Sequence, residues 1–317
     1  MNANLMDVCA AYRLLLERNP DADGLLHYVD KISRGLSVGA LRSMFLGAGE
    51  FHDVRKSKIA PVKMYKDVVV VVDADEPEFG HTIATHHSWE PHIVDLIRSH
   101  LAPGSVYVDV GANVGVMAFN AADVVGPSGK IIAFEPDTQN AARFLAGLKE
   151  SALKNVLLYP FALSDRQEIR SLAGGSNAYL IGSEGSTRLV QAVRGDDLLA
   201  GEQRIDFIKL DVEGHEPFAL KGLSSTLRKH KPLVLCEYNP RCLTSHFSIS
   251  PSSFAAMVFE LTTVVEAIEH NGSRNSVSRS DDLLELWSTK NDDAVRSGFL
   301  PEGMLHFDLL FKVVKNE

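Results

Sequence analysis

Cysteine is scarce in this chain: Cys9, Cys236 and Cys242 are the three among 317 residues. An odd count at these spacings offers neither a disulfide framework nor a tetrahedral zinc set, so reduced thiols are expected. Positive charge is short as well, since 32 Lys and Arg against 41 Asp and Glu leave a formal net charge of -9. Phosphate backbones and anionic lipids are read by clustered cations, which disfavours a nucleic-acid substrate. No apolar run reaches the roughly 20 residues that span a bilayer, and Met1 to Ala11 lack a basic stretch followed by an apolar one. The expectation is a cytoplasmic protein without a membrane span. Glycine and proline are not in excess, and 45% hydrophobic with 23% charged residues is the balance of an ordinary globular chain. The length accommodates one large α/β domain and a small appendage.

From Leu5 to about His52 apolar residues recur at helical spacing: Val8, Tyr12 and Leu15, then Leu25, Tyr28, Val29 and Ile32, then Leu41, Met44 and Phe45. Three short helices are predicted, with a turn at Asn19-Pro20-Asp21, Gly35 closing the second and Ser37 capping the third. Residues 1–60 therefore read as a helical appendage and residues 61–317 as the main domain. Arg55 to Lys66, basic and containing Pro61, reads as a connection, and Val68 to Val72 as an added strand. Pro91 is placed to open a helix ending at His100. From Val106, strands at Val106–Val110, Ile131–Glu135, Val156–Ala162, Phe207–Asp211 and Leu233–Glu237 alternate with helical stretches, the pattern of a doubly wound, mostly parallel α/β sheet. Ser250 and Pro251 cap and open another helix, and Leu283–Trp287 and Phe307–Val313 read as a final pair of strands. Ligands of such sheets bind beyond the carboxyl ends of the strands, where strand order reverses.

The sharpest signal is Asp109-Val110-Gly111-Ala112-Asn113-Val114-Gly115, which leaves a strand and enters a helix near Val116. Small residues let the backbone approach a ligand, and the helix start supplies free amide donors. Glu135 ends the next strand, where a carboxylate can accept both hydroxyls of a ribose. That geometry serves a nicotinamide dinucleotide or S-adenosylmethionine. Asp109 can order the ammonium end of a methionine moiety, whereas a dinucleotide brings its pyrophosphate to this turn. No Tyr-x-x-x-Lys pair or alcohol-polarising metal set is present to carry out hydride transfer.

Trp89-Glu90-Pro91, Asp109 to Gly115, Ala133-Phe134-Glu135-Pro136, Ala162-Leu163-Ser164-Asp165 and Ile208 to Glu216 occur in that order, and together they resemble the FkbM family of class I methyltransferases over about residues 80 to 315. The resemblance implies a Rossmann-like sheet with a C-terminal antiparallel hairpin, S-adenosylmethionine as cofactor, and methyl transfer, usually to oxygen, on a small molecule or glycan. The implied cofactor contacts are Asp109, Gly111, Ala112, Asn113, Gly115, Glu135 and Pro136, with Phe161, Ala162 and Asp165 flanking the adenine, Asp211 at the methionine end, and Glu90 reaching in from the preceding loop.

A hydroxyl nucleophile needs a base, and Asp211, Glu213 or His215, at the end of the fourth strand, is expected to remove or orient the acceptor proton. Glu213 and Glu216 can alternatively cap the following helix. A magnesium ion on Asp211, Glu213 and His215 is the lesser reading, because alternating strand residues point to opposite sides, so no metal is expected. Glu237, Tyr238 and Asn239, ending the fifth strand, are candidate acceptor contacts, and the glycine- and serine-rich loop from Ser171 to Ser186 is a candidate lid. The acceptor is expected to be a sugar hydroxyl of a glycan or a secondary metabolite. Methylation of nitrogen or a carboxylate, and a non-catalytic cofactor-binding module acting through a partner, are the alternatives. Tyr12 to Gly24, Tyr28-Val29 and Gly49-Glu50-Phe51 resemble a small bacterial helical domain that often accompanies sugar-modifying enzymes. Such a unit is an adaptor or a stabilising cap, packing on the catalytic domain, another subunit or a partner.

Overall fold

The computed structural model describes residues 2–15, 19–48, 59–77, 79–174, 178–181 and 188–314. The chain divides into two compact units, Met1–Lys58 and Ile59–Glu317.

In the first unit, helices span Leu5–Leu15, Ala22–Ser33 and Val38–Leu46. Asp21 accepts from the Gly24 amide at 2.6 Å and Ser37 from the Ala40 amide at 3.1 Å, so each of the last two helices begins on a side-chain cap. Val8, Tyr12, Tyr28, Leu41 and Phe45 are buried together. Tyr12 meets Phe45 edge-on at 5.1 Å and Tyr28 stacks on it at 5.3 Å, so three rings supply most of a small core. Val29, expected in the apolar stripe, is exposed instead: Tyr28 and Ile32 define the inward face and Val29 lies one residue off it. The Leu15 side chain, Glu17, Arg18 and the Gly49-Glu50-Phe51 signature lie outside the described residues.

The second unit begins with a hairpin of β1 (Ile59–Lys63) and β2 (Val69–Asp73). The connection expected over Arg55 to Lys66 is therefore a strand from Ile59, and Pro61 is tolerated because β1 has an open edge; residues 55–58 lie outside the described residues. An eight-stranded sheet follows, containing β3 (Val106–Val110), β4 (Lys130–Phe134), β5 (Val156–Tyr159), β10 (Phe207–Leu210), β11 (Leu233–Tyr238), β12 (Val265–Ile268), β13 (Arg274–Val277) and β14 (Phe307–Lys312). Their order is β13-β12-β14-β11-β10-β3-β4-β5; β5, β4, β3, β10 and β11 run parallel, and β14, β12 and β13 pair antiparallel. The chain winds outward from β3 through β4 to β5, then returns to β10 on the other side of β3. The boundary between β3 and β10 is thus the switch point of a doubly wound Rossmann-like sheet, and a ligand crevice is expected there.

Helices cover both faces. Alternate strand residues feed two cores: Tyr107, Ile131 and Phe207 enter one, and Val108, Ile132, Ile208 and Val234 the other. Burial on both sides explains the nearly continuous apolar runs of the central strands. A four-stranded sheet of β6 (Ala162–Ser164), β9 (Leu189–Arg194), β7 (Glu168–Ala173) and β8 (Tyr179–Ile181), in that order, is inserted after β5.

Three local expectations are corrected. The strand read across Val156 to Ala162 is two strands in different sheets, β5 and β6, because Pro160 cannot donate to a ladder. Leu283 to Trp287 belongs to a helix, Ser280–Arg296, whose Leu283 is buried and whose Trp287 donates to the Leu305 carbonyl at 2.8 Å. The final antiparallel strands are instead β12, which pairs with β14, and β13 beyond it. In the segment from Ser171 to Ser186, residues 171–173 belong to β7 and Tyr179–Ile181 form β8; residues 175–177 and 182–186 lie outside the described residues. Among the described residues no helix is long and apolar enough to cross a membrane.

Candidate active site

The loops after β3, β4 and β10 meet at the switch point and enclose a cavity. Its wall contains Glu90, Asp109, Gly111, Ala112, Asn113, Glu135, Pro136, Phe161, Ala162, Asp211, Glu213, His215 and Glu237. Gly115, Asp165, Tyr238 and Asn239 do not line it. Gly115 instead precedes the helix Val116–Val125, and Asp165 faces Arg166 at 3.6 Å. The Tyr238 side chain is buried, its hydroxyl donating to the Pro251 carbonyl at 3.5 Å, and Asn239 caps the helix Pro240–Phe247. Phe79, Trp89, Leu172 and Leu180 add apolar wall.

The turn after β3 is held by its neighbours. The amides of Gly111 and Ala112 both donate to the Phe134 carbonyl at 3.0 Å, and the Asp211 amide donates to the Val110 carbonyl at 3.0 Å. Gly111 has φ +83°, and a β-carbon there would lie 1.9 Å from the Asp211 carbonyl oxygen. Only glycine lets the turn approach the β10 loop this closely. Gly111→Ala is accordingly expected to lower the melting temperature and weaken cofactor binding together; a variant with native melting and native affinity would show that the turn can open freely.

Glu135 is 5% exposed and fully engaged by the backbone, one oxygen accepting from the Asn113 amide and the other from the Asp137 amide, each at 2.8 Å. Burial pushes its pKa up to about 7 against the pull of those amides. The carboxylate is thereby fixed at the mouth of the glycine turn, with lone pairs left for ligand hydroxyls.

Asp109 is wholly buried and neither of its oxygens makes a hydrogen bond of good geometry among the described residues, the Ala118 amide being a minor pull on its charge. Burial raises its pKa to about 6, while Lys209 pulls it down. Lys209 lies beside it in the β3–β10 register and holds Asp211 at 2.8 Å. Burial works against the Lys209 ammonium, but Asp211 and Asp109 outweigh it and raise its pKa. One buried cation thus anchors two carboxylates across the switch point.

The β10 loop presents Asp211 and Glu213 and folds His215 inward. Glu216 is buried, and one of its oxygens accepts from the Val212 amide at 2.8 Å and the Gly214 amide at 3.3 Å, stitching the loop. His215 has no exposed surface, faces Ser164 Oγ through Nε2 at 3.1 Å and stacks on Phe218. Burial, reinforced by Arg170 and Arg166, takes its pKa down to about 3, so its imidazole is a weak base. Among the described residues no group of His, Cys, Asp and Glu is disposed to hold a metal ion. Glu90, Asn113 and Glu213 all have positive φ, at 42°, 50° and 56°, so three strained non-glycine residues sit on one cavity.

Lys209, His306 and Asp308 were not assigned roles from the sequence. Each signal was a polar residue inside an otherwise apolar segment: Ile208-Lys209-Leu210 and Leu305-His306-Phe307-Asp308-Leu309. A charge in a strand buried on both faces needs a partner: Lys209 finds one in Asp211, whereas burial and Asp211 push the Asp308 carboxyl up to about 7 and burial keeps His306 neutral.

The buried carboxyls also set a pH dependence. Burial raises Glu90 and Glu216 to about 8 and Glu135 and Asp308 to about 7. The native state keeps protons that the unfolded chain has lost, so their stabilisation is complete below the unfolded carboxyl values and disappears as pH rises through 7 to 8. The depressed His215 and His306 act in the opposite sense, below their ordinary 6.5. From pH 6.5 to 8 the unliganded protein should melt at progressively lower temperature, at about 1.4 kcal/mol per pH unit for each retained proton. A flat melting curve across that interval would refute this electrostatic picture.

Residues 109–262 match the family described as the methyltransferase FkbM domain. The hexuronic acid methyltransferase AglP of Haloferax volcanii is 28% identical over 145 residues, which cover 44% of this chain and 58% of that protein. The chain thus spans little more than half the length of that relative. Among solved structures, methyltransferase FkbM from Methylobacillus flagellatus matches with TM-score 0.36 and 16% identity over 75% of this chain and 50% of that one. The O-methyltransferase TomG from Streptomyces achromogenes matches with TM-score 0.41 and 12% identity over 71% and 79% of the two chains.

Proposed function

We propose that the protein is an S-adenosylmethionine-dependent O-methyltransferase acting on a sugar hydroxyl of a glycan or of a secondary metabolite. The observation that carries this reading is the joining, in one cavity at the switch point, of a glycine turn, the fixed Glu135 carboxylate and the Asp109–Lys209–Asp211 group. The residues fit the cofactor. Gly111 lets the turn close against the β10 loop so that its backbone borders the cavity, and Asp109 offers buried oxygens toward the end where a methionine ammonium belongs.

Glu135 receives the ribose hydroxyls, Gly111 to Asn113 supply backbone to the nucleoside, and Phe161, Ala162 and Pro136 flank the base. S-adenosylmethionine supplies a methyl group activated by its sulfonium. Asp211 is the base of choice: its carboxylate is partly open to the cavity, whereas His215 is buried with a depressed pKa. Lys209 fixes Asp211 so that one oxygen can orient the acceptor hydroxyl and take its proton. The apolar wall of Trp89, Leu172 and Leu180 limits water near the transferring group. The name of the Haloferax relative supports a sugar acceptor.

Transfer of isotopically labelled methyl from S-adenosylmethionine to a panel of glycosides tests the reading. Label should appear in products that survive alkali, since a methyl ether is stable there and a methyl ester hydrolyses. Label released by alkali would assign transfer to a carboxylate and overturn the hydroxyl assignment.

A further inference from the structure

The part of the cavity beyond the glycine turn is crowded with carboxylates from separate elements. Glu90 precedes the helix Pro91–His100, Asp211 and Glu213 follow β10, and Glu237 on β11 is the register partner of Asp308 on β14. Glu90 feels Asp308, Asp211 and Glu213, and Glu237 feels Asp211, Glu213 and Asp308, so these groups form one electrostatic cluster. Among the described residues of the wall, Lys209 is the one Lys or Arg, and it is already bound to Asp211.

Glu237 carries a buried oxygen available to a ligand. It is 6% exposed and lines the cavity; its Oε1 accepts from Asn239 Nδ2 at 3.2 Å, but its Oε2 has no hydrogen-bond partner among the described residues. His306 stands 4.0 Å from Oε1, and burial takes its pKa down to about 4, so it brings no positive charge at neutral pH. A buried carboxylate oxygen without a donor is costly unless a ligand provides one.

On this side of the cavity the wall gathers the carboxyls of Glu90, Asp211, Glu213 and Glu237 around one ammonium that is already taken by Asp211. We propose that the acceptor is an amine-bearing sugar or sugar-like polyol, whose ammonium is received by Glu237, backed by its register partner Asp308, while a neighbouring hydroxyl is methylated. The proposal rests on the methyl-transfer reading of the same cavity. An acidic sugar, the kind of acceptor in the name of the Haloferax relative, would bring its own negative charge to a wall whose carboxyls are short of donors, so this cavity is expected to disfavour it. Burial and mutual crowding keep Glu90 and Asp308 protonated up to about pH 8 and 7 in the unliganded site, and an ammonium bound among them would draw those protons off.

The test uses the full chain saturated with S-adenosylhomocysteine and titrated calorimetrically with the methyl glycosides of glucosamine, glucose and glucuronic acid. The amine is expected to bind about tenfold or more tightly than glucose, as one charge-assisted hydrogen bond allows, and the uronate more weakly than glucose. Glu237→Gln should erase the difference between amine and glucose, with S-adenosylhomocysteine affinity reporting that the variant is folded; Asp308→Asn provides a second, isosteric check. Equal or tighter binding of the uronate, binding of none of the three, or a preference that survives both variants overturns the proposal. Failure of S-adenosylhomocysteine itself to bind instead overturns the methyl-transfer reading and the acceptor class with it.

Discussion

Asp211→Ala is expected to lower turnover by about 10²- to 10⁴-fold, the span a positioned general base contributes, while the protein still binds S-adenosylmethionine. Asp211 is selected by geometry: it follows β10 at the switch point, lines the cavity and is held at 2.8 Å by Lys209. Single-turnover kinetics with saturating cofactor, alongside calorimetric affinity, separates the two effects. A loss confined to cofactor affinity would make Asp211 a binding residue only. Unchanged turnover in Asp211→Ala, Glu213→Ala and His215→Ala alike would point to an acceptor that needs no base, such as a carboxylate.

Lys209→Met carries the largest expected effect on stability. Its side chain is 5% exposed, and it lies between Asp211 and the wholly buried Asp109. Removing one partner of a buried charge pair destabilises by roughly 3 to 5 kcal/mol, and on a chain of this size that lowers the melting temperature by on the order of 10 °C. Asp109 is then left buried without its nearby ammonium. Lys209→Met combined with Asp109→Asn should recover part of the loss, because the charge left uncompensated is removed as well. Equal melting of Lys209→Met and the native protein would show that the ammonium carries no structural load.

The legible parts of the chain were those in which local chemistry and tertiary demand agree. Strands buried on both faces had to be apolar runs, so β3, β4, β10 and β11 stood out. Asp21, Ser37, Pro91 and Ser250 announced their helices through capping chemistry that depends on neighbours in sequence alone. The glycine turn and Glu135 were readable for the same reason, since each is tied to the end of its own strand. The helix Ser280–Arg296 was misread in part because Leu283-Leu284-Glu285-Leu286-Trp287 is short and apolar, and a run of that length fits strand or helix until its packing is known.

What the sequence withheld was convergence. Asp308 lies about a hundred residues beyond Asp211, and only the antiparallel pairing of β14 with β11 brings it to Glu237 and the anionic wall. His215 looked like a base in its motif, yet the fold buries it against Ser164 and Phe218, where it supports the loop that presents Asp211. Tyr238 and Asn239 likewise follow Glu237 in sequence but serve the core and a helix cap. Side-chain direction at strand ends, and not motif membership, separates these residues.

The central claim is that the cavity at the β3–β10 boundary receives S-adenosylmethionine. Calorimetric titration of the purified protein with S-adenosylmethionine and separately with NAD, repeated on Glu135→Ala, tests it most directly. Saturable binding of S-adenosylmethionine alone, weakened by the substitution, is the predicted result. Binding of NAD, or of neither ligand, would contradict the account.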